Sequence, residues 1–102
     1  LEMTLLGDRY SAQKMSDMGL VNFVVPDGDL DDECDKLATR LANGPTHVFG
    51  QGKRLMYRSL ENEFESQLQL EAECFADCAK RDDYREGVAA FVEKRKPVFT
   101  GT

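Results

Sequence analysis

Three cysteines, one histidine and one run of cations are the residues of this chain whose types and spacing could do chemistry. Cys74 and Cys78 stand four apart. On a helix that places their side-chain carbons about 5–6 Å apart, wider than the roughly 3.5–4.5 Å that a disulfide prefers. A zinc site would need Cys34 and the only histidine, His47, to converge on them from separate segments. A thiol nucleophile would need His47 beside one of the cysteines, with a third group orienting the imidazole. The spacing supports neither, so no metal site and no catalytic residue is assigned. Three free thiols filling helix contacts are expected, which suits a reducing compartment. Paired carboxylates are plentiful, as in Glu61, Glu63 and Glu65 or Glu71 and Glu73. With 19 acidic residues among 102, such pairs arise as solvated faces without any catalytic reason.

The cations are more informative. Lys94-Arg95-Lys96 forms a run of three in a chain of net charge −6, at the end of a predicted helix, where positive charge complements the helix dipole. Phe91 lies three residues before Lys94 and is its neighbour on the helix surface. An aromatic ring next to an ammonium suits a ligand that carries both a base and phosphates. No glycine-rich phosphate loop accompanies the pair, so it would be an edge contact and not a complete nucleotide site.

These residues need helices to position them, and the punctuation for helices is clear. Ser11 is placed to cap a helix from Ala12 to Met18, and Gly19 sits where a left-handed residue would end it. Leu20 to Val25 reads as one short extended segment closed by Pro26. From about Asp29 to Asn43, Leu30, Cys34, Leu37, Ala38, Leu41 and Ala42 form a stripe at helical spacing. Gly44 stops that helix and Pro45 opens the next, which carries Val48, Phe49, Leu55, Met56 and Leu60 and has weak points at Gly50 and Gly52. From about Glu61 to Lys80, Phe64, Leu68, Ala72, Phe75 and Ala79 share one face, while Leu70 and Cys74 fall on another. Apolar residues on two sides imply burial between layers or against another subunit. Asp82 or Asp83 is expected to cap the last helix, with a stripe of Tyr84, Val88, Phe91 and Val92 that Pro97 forbids from continuing. The expected fold is all-α: five helices with one short extended segment, forming a single helical domain over residues 1–102. Residues 1–10 are expected to be the remnant of an added tag or an extended tail, since the chain opens Leu1-Glu2-Met3.

Composition sets the remaining bounds. With 41% hydrophobic and 31% charged residues, neither a disordered nor a fibrous chain fits. The acidic balance disfavours nucleic acid as a partner. The longest apolar stretch is far short of the roughly 20 residues of a membrane helix, so a cytoplasmic protein is expected.

The motifs resemble a known family. Ser11-Ala12, Met18-Gly19-Leu20-Val21-Asn22, Val24-Val25-Pro26, Leu37-Ala38, Leu41-Ala42, Gly44-Pro45 and Lys53, followed by the ending Asp83 to Gly101, resemble the C-terminal third of the enoyl-CoA hydratase/isomerase family, the crotonases. Ser66 to Glu71 followed by Glu86-Gly87-Val88 looks closer to its enoyl-CoA and ring-epoxide isomerase branch, as in fatty acid or phenylacetate degradation.

The resemblance implies the helical region of a two-part enzyme. In that family an N-terminal domain of ββα turns holds the catalytic carboxylates and the amides that polarise the thioester, and the helical region trimerises and closes the acyl-CoA site. No stretch here matches the oxyanion-hole or catalytic loops, whose donors do most to stabilise the charge that develops in such chemistry. No catalytic residue is carried over, and the chain by itself is expected to lack activity and to hold no cofactor. One pair is carried over: Phe91 and Lys94 fall where the family presents an aromatic and a lysine to the adenine and phosphate end of coenzyme A. The expected partners are a second and third copy of the chain, as a dimer or trimer, or a crotonase catalytic domain. Leu70, Cys74, Phe49, Met56 and Phe91 are candidates for the surface that such a partner covers. The alternative is a stand-alone helical interaction protein derived from a truncated crotonase gene.

Overall fold

A computed structural model describes residues 1–102, which fall into two compact units, Leu1–Asp35 and Lys36–Thr102. No residue of the first unit is buried. It holds α1 (Glu2–Leu6), α2 (Ala12–Asp17), a 3-10 turn at Asp27–Asp29 and the start of α3 (Leu30–Ala42). Residues 2–6 are therefore helical and not an extended tail. Gly7 ends α1 at φ 67, and the Tyr10 hydroxyl donates to Glu2 Oε1 at 3.0 Å, returning the chain onto the helix it has just left. Ser11 Oγ accepts from the Lys14 N–H at 3.2 Å, the expected cap of α2. Gly19, at φ 74, ends the turn with Leu20 N–H bonded to Met15 C=O at 2.9 Å, the six-to-one bond of a left-handed helix end. Leu20–Val25 forms no strand. A single extended segment has no ladder to join.

The second unit contains the rest of α3, then α4 (Thr46–Arg58), α5 (Phe64–Cys78), α6 (Asp82–Glu93) and a tail running to Thr102. Gly44 ends α3 where a β-carbon would lie 2.5 Å from the Phe49 ring, so the absence of a side chain lets the next helix start close by. Pro45 stands one residue before α4, which continues unbroken through Gly50 and Gly52.

α4 packs on α5. Gln67 stitches their connection by donating to Leu55 C=O at 3.3 Å and accepting from Asn62 Nδ2 at 3.0 Å. The residues that become buried are small: Cys74 (3% exposed), Cys78 and Ala90 (1% exposed), joined by the carboxylate of Asp83. No large side chain is fully buried.

The two apolar faces expected on α5 differ in burial. Cys74, expected on a partner-facing surface, is buried because small residues one turn apart let helix backbones approach. Phe64, Leu68 and Phe75 stay in solvent instead. Phe75 meets Tyr84 of α6 edge to face, with centroids 6.2 Å apart. Of the other expected surface residues, Phe49, Met56 and Phe91 are exposed and Leu70 is half-buried. The residue that caps α6 is Arg81, with no side-chain bond, and not Asp82 or Asp83. Asp82 and Asp83 lie in the first turn, and the carboxylate of Asp83 is engaged by the tail.

Candidate functional site

The end of α6 holds the pair singled out by sequence. Phe91 is 84% exposed. Three residues on, Lys94 is the helix C-cap, exposed and left-handed at φ 56 and ψ 36, with its N–H bonded to Phe91 C=O at 3.3 Å. The next amide, Arg95 N–H, reaches Ala90 C=O at 3.0 Å. A non-glycine residue in this region costs about 1 kcal/mol or more, so other contacts must hold it there.

The three consecutive cations are not equivalent. Arg95 is engaged by acids on both sides: Nη1 and Nη2 reach Glu86 Oε1 and Oε2 at 2.5 and 2.8 Å, and Nε reaches Glu93 Oε2 at 2.6 Å. Arg95 is therefore committed to the fold, and Lys94 and Lys96 are the cations of the run left to meet an anion. The Arg95 fork and the Val98 N–H together pull the Glu86 carboxyl down to about 2.

Beyond Pro97 the tail folds back along α6. Asp83 Oδ1 accepts from Thr100 N–H at 2.7 Å and from its hydroxyl at 3.4 Å, and Oδ2 accepts from Gly101 N–H at 2.9 Å. Asp83 N–H in turn donates to Thr102 C=O at 2.9 Å. Phe99 lies over Gly87, where an added β-carbon would be in ordinary contact with the ring at 3.6 Å. The tail thereby builds one wall of an open apolar groove of about 340 Å³, lined by Pro45, Val48, Tyr84, Val88, Phe91 and Phe99 among others.

A second polar cluster joins α4 to α5. Asp77 Oδ2 accepts from His47 Nε2 at 2.5 Å and from Gln51 Nε2 at 3.1 Å, and Gln51 Oε1 accepts from Cys74 Sγ at 3.3 Å. Arg81 Nη2 approaches Asp77 Oδ1 at 3.6 Å. The fold thus brings His47 and Cys74 into one network, which their spacing did not suggest, but Gln51 stands between them and no imidazole–thiol pair forms. Burial pushes the Cys78 thiol up, away from thiolate character. All three cysteines are unpaired, and no three His, Cys, Asp or Glu side chains cluster as metal ligands.

The hydrogen bond from His47, aided by Arg81, holds the Asp77 carboxyl below its ordinary value. A lowered carboxyl contributes stability that is present above the unfolded value and is lost as pH falls through the folded one. His47→Ala should therefore destabilise the chain at neutral pH and flatten the acid side of its stability curve. Urea unfolding at a series of pH values from about 7 down to 3 checks this; a parallel downward shift at every pH would show that the pair carries no linkage.

Sequence reasoning did not find the roles of Asp83, Glu86, Asp77 and Gln51. Each is an acid or amide among many, and only the chain reversal after Lys94 or the approach of α4 to α5 gives it a partner.

Comparison with known proteins assigns the whole. The family model described as enoyl-CoA hydratase/isomerase matches residues 1–102, including the first ten. A Rhodobacter capsulatus protein named "Probable enoyl-CoA hydratase" is 38% identical over 99 residues, covering 97% of this chain and 38% of that protein. The 1,2-epoxyphenylacetyl-CoA isomerase of Escherichia coli matches with the same identity and coverage. Among solved structures, an enoyl-CoA hydratase from Polaromonas superposes with a TM-score of 0.89 at 32% identity, over 97% of this chain and 38% of that one. The chain spans about two fifths or less of the length of the relatives it matches, and it belongs to the enoyl-CoA hydratase/isomerase family.

Proposed function

We propose that these residues form the C-terminal helical part of an enzyme acting on coenzyme A thioesters, in which Phe91 and Lys94 meet the adenine and phosphate end of the ligand and the chain associates with copies of itself. The observation that carries this reading is the end of α6: an aromatic ring 84% exposed, one turn from an exposed lysine, in a chain that matches enoyl-CoA hydratases along its whole length. A ring of this size left in water lacks the burial that stabilises aromatic side chains, as expected of a surface used for binding. The exposed Phe64, Leu68 and Phe75 of α5, with Tyr84, Val88, Phe91 and Val92 of α6, support self-association, since a patch of this kind marks an interaction surface. No helix is long and apolar enough to cross a membrane, and the three free thiols favour a reducing, cytoplasm-like compartment. The bond-making residues then lie outside these 102.

Light scattering on the chain, with and without coenzyme A, together with an assay for hydration of crotonyl-CoA, tests this function. The expected result is a stable dimer or trimer, weak coenzyme A binding and no turnover. Turnover that persists after removal of host enzymes would overturn the assignment of the chemistry to other residues. A monodisperse monomer at high concentration would overturn the self-association. A monomer with no affinity for coenzyme A would favour the alternative of a helical interaction protein.

A further inference from the structure

Lys94 is the one non-glycine residue with a positive φ. Helices that end in this conformation ordinarily place glycine or asparagine there, because a β-carbon disfavours it. Besides the backbone bonds of Lys94 and Arg95 to Phe91 and Ala90, the contacts that flank this lysine converge on Glu86, two turns earlier on α6. Its carboxylate takes the Arg95 guanidinium in fork geometry, and Oε1 also accepts the Val98 N–H at 2.7 Å. One glutamate thus ties down the residue directly after Lys94 and a backbone amide four residues after it, so the chain must reverse at position 94. An ordinary surface ion pair joins two side chains and contributes little. This one binds a backbone amide as well, and its glutamate side chain is only 25% exposed.

We propose that Glu86 is a positioning residue that clasps Arg95 and Val98, holding Lys94 in the left-handed conformation and so fixing it one turn from Phe91 for a phosphate-bearing ligand. The ligand half of this proposal rests on the reading of Phe91 and Lys94 given under Proposed function. The clasp is constitutive. The Arg95 fork and the Val98 amide draw its carboxyl from an ordinary 4.5 down to about 2, so its contribution is full above about 4.5 and is lost progressively as pH falls from there through about 2. Titratable groups facing it are Arg95 and, through Arg95, Glu93. No histidine is in the cluster.

Amide hydrogen exchange, read residue by residue by NMR, tests the clasp in the 102-residue chain. Glu86→Gln keeps the size of the side chain and removes its charge. Exchange at Arg95 and Val98 should accelerate by roughly tenfold or more while the middle of α6 is unchanged. Adding Lys94→Gly, which tolerates a positive φ, should restore protection at Arg95. Arg95→Lys, which loses the fork, should act in the same direction as Glu86→Gln and serves if that variant folds poorly.

Coenzyme A titrated into the same samples tests the ligand half, with Lys94→Ala as the reference for loss of the ammonium. Glu86→Gln should weaken binding several-fold with Lys94 still present, and Glu86→Asp should recover part of the loss. Unchanged exchange at Arg95 and Val98 in Glu86→Gln would overturn the clasp. Faster exchange with wild-type affinity, while Lys94→Ala binds less well, would overturn the positioning role. If Lys94→Ala binds coenzyme A as the wild type does, the ligand reading itself fails, and exchange alone decides the clasp.

Discussion

Asp83→Ala is expected to free the tail and lower stability by about 2–4 kcal/mol, since hydrogen bonds to a charged group each contribute about 1.5–3 kcal/mol and the released amides recover part of that from water. The size follows from where the carboxylate sits. Asp83 is 3% exposed, and both of its oxygens are occupied by tail donors, Thr100 N–H and hydroxyl on one and Gly101 N–H on the other. No guanidinium or ammonium is bonded to it. Stability comes from two oriented peptide groups, which is why the tail's conformation and the carboxylate depend on each other. Asp83→Asn separates charge from shape: the amide keeps one acceptor oxygen and turns an NH₂ toward an N–H donor, so it should recover less than half of the loss. Denaturant unfolding gives the free energies, and exchange at Thr100 and Gly101 reports release of the tail. Wild-type stability in Asp83→Ala would show that the tail merely rests on α6. The loss should also remove Phe99 from the groove beside Val48 and Tyr84.

The second large effect is at Ala90, 1% exposed on α6. Ala90→Leu adds three carbons at an enclosed position, and overpacking of a tight site costs typically about 1–3 kcal/mol. That is a large share of the stability expected for about 100 residues with no large side chain fully buried. Ala90→Gly is the control. It creates no clash and should cost only about 1 kcal/mol through helix propensity. If the leucine variant is no less stable than the glycine variant, the surroundings of Ala90 yield to a larger side chain and the site is not tight. Thermal unfolding of the three proteins at equal concentration decides it, since self-association makes the midpoint concentration-dependent.

These two sites differ in how they could be read in advance. Helix positions were legible because their signals are local: Ser11 as a cap, Gly19 and Gly44 as stops, and Pro45 just ahead of α4 each act over a few residues. The packing was not legible. Helical periodicity identifies an apolar stripe but not what covers it: it marked two apolar faces on α5 without deciding between them, and the face of Cys74 is the one that is buried, while Phe64, Leu68 and Phe75 stay exposed. Small residues give a weak hydropathy signal yet permit the closest approach of helices. At the candidate site, Phe91 and Lys94 were legible as neighbours from their spacing. Asp83 and Glu86 were not, because their partners lie 9 to 18 residues away along the chain and meet them only after the reversal at Lys94.

The burial of two thiols among so few buried residues gives the chain an internal clock. Cys34 is exposed, whereas Cys74 and Cys78 are enclosed, and burial further raises the Cys78 thiol. A thiol-reactive label should modify the exposed Cys34 first and reach the other two only when α5 parts from its neighbours. Because Cys74 also donates to Gln51 of α4, that separation breaks the hydrogen-bonded link to His47 as well. The ratio of slow to fast labelling therefore measures how often the chain opens under native conditions, without denaturant and without any added reporter.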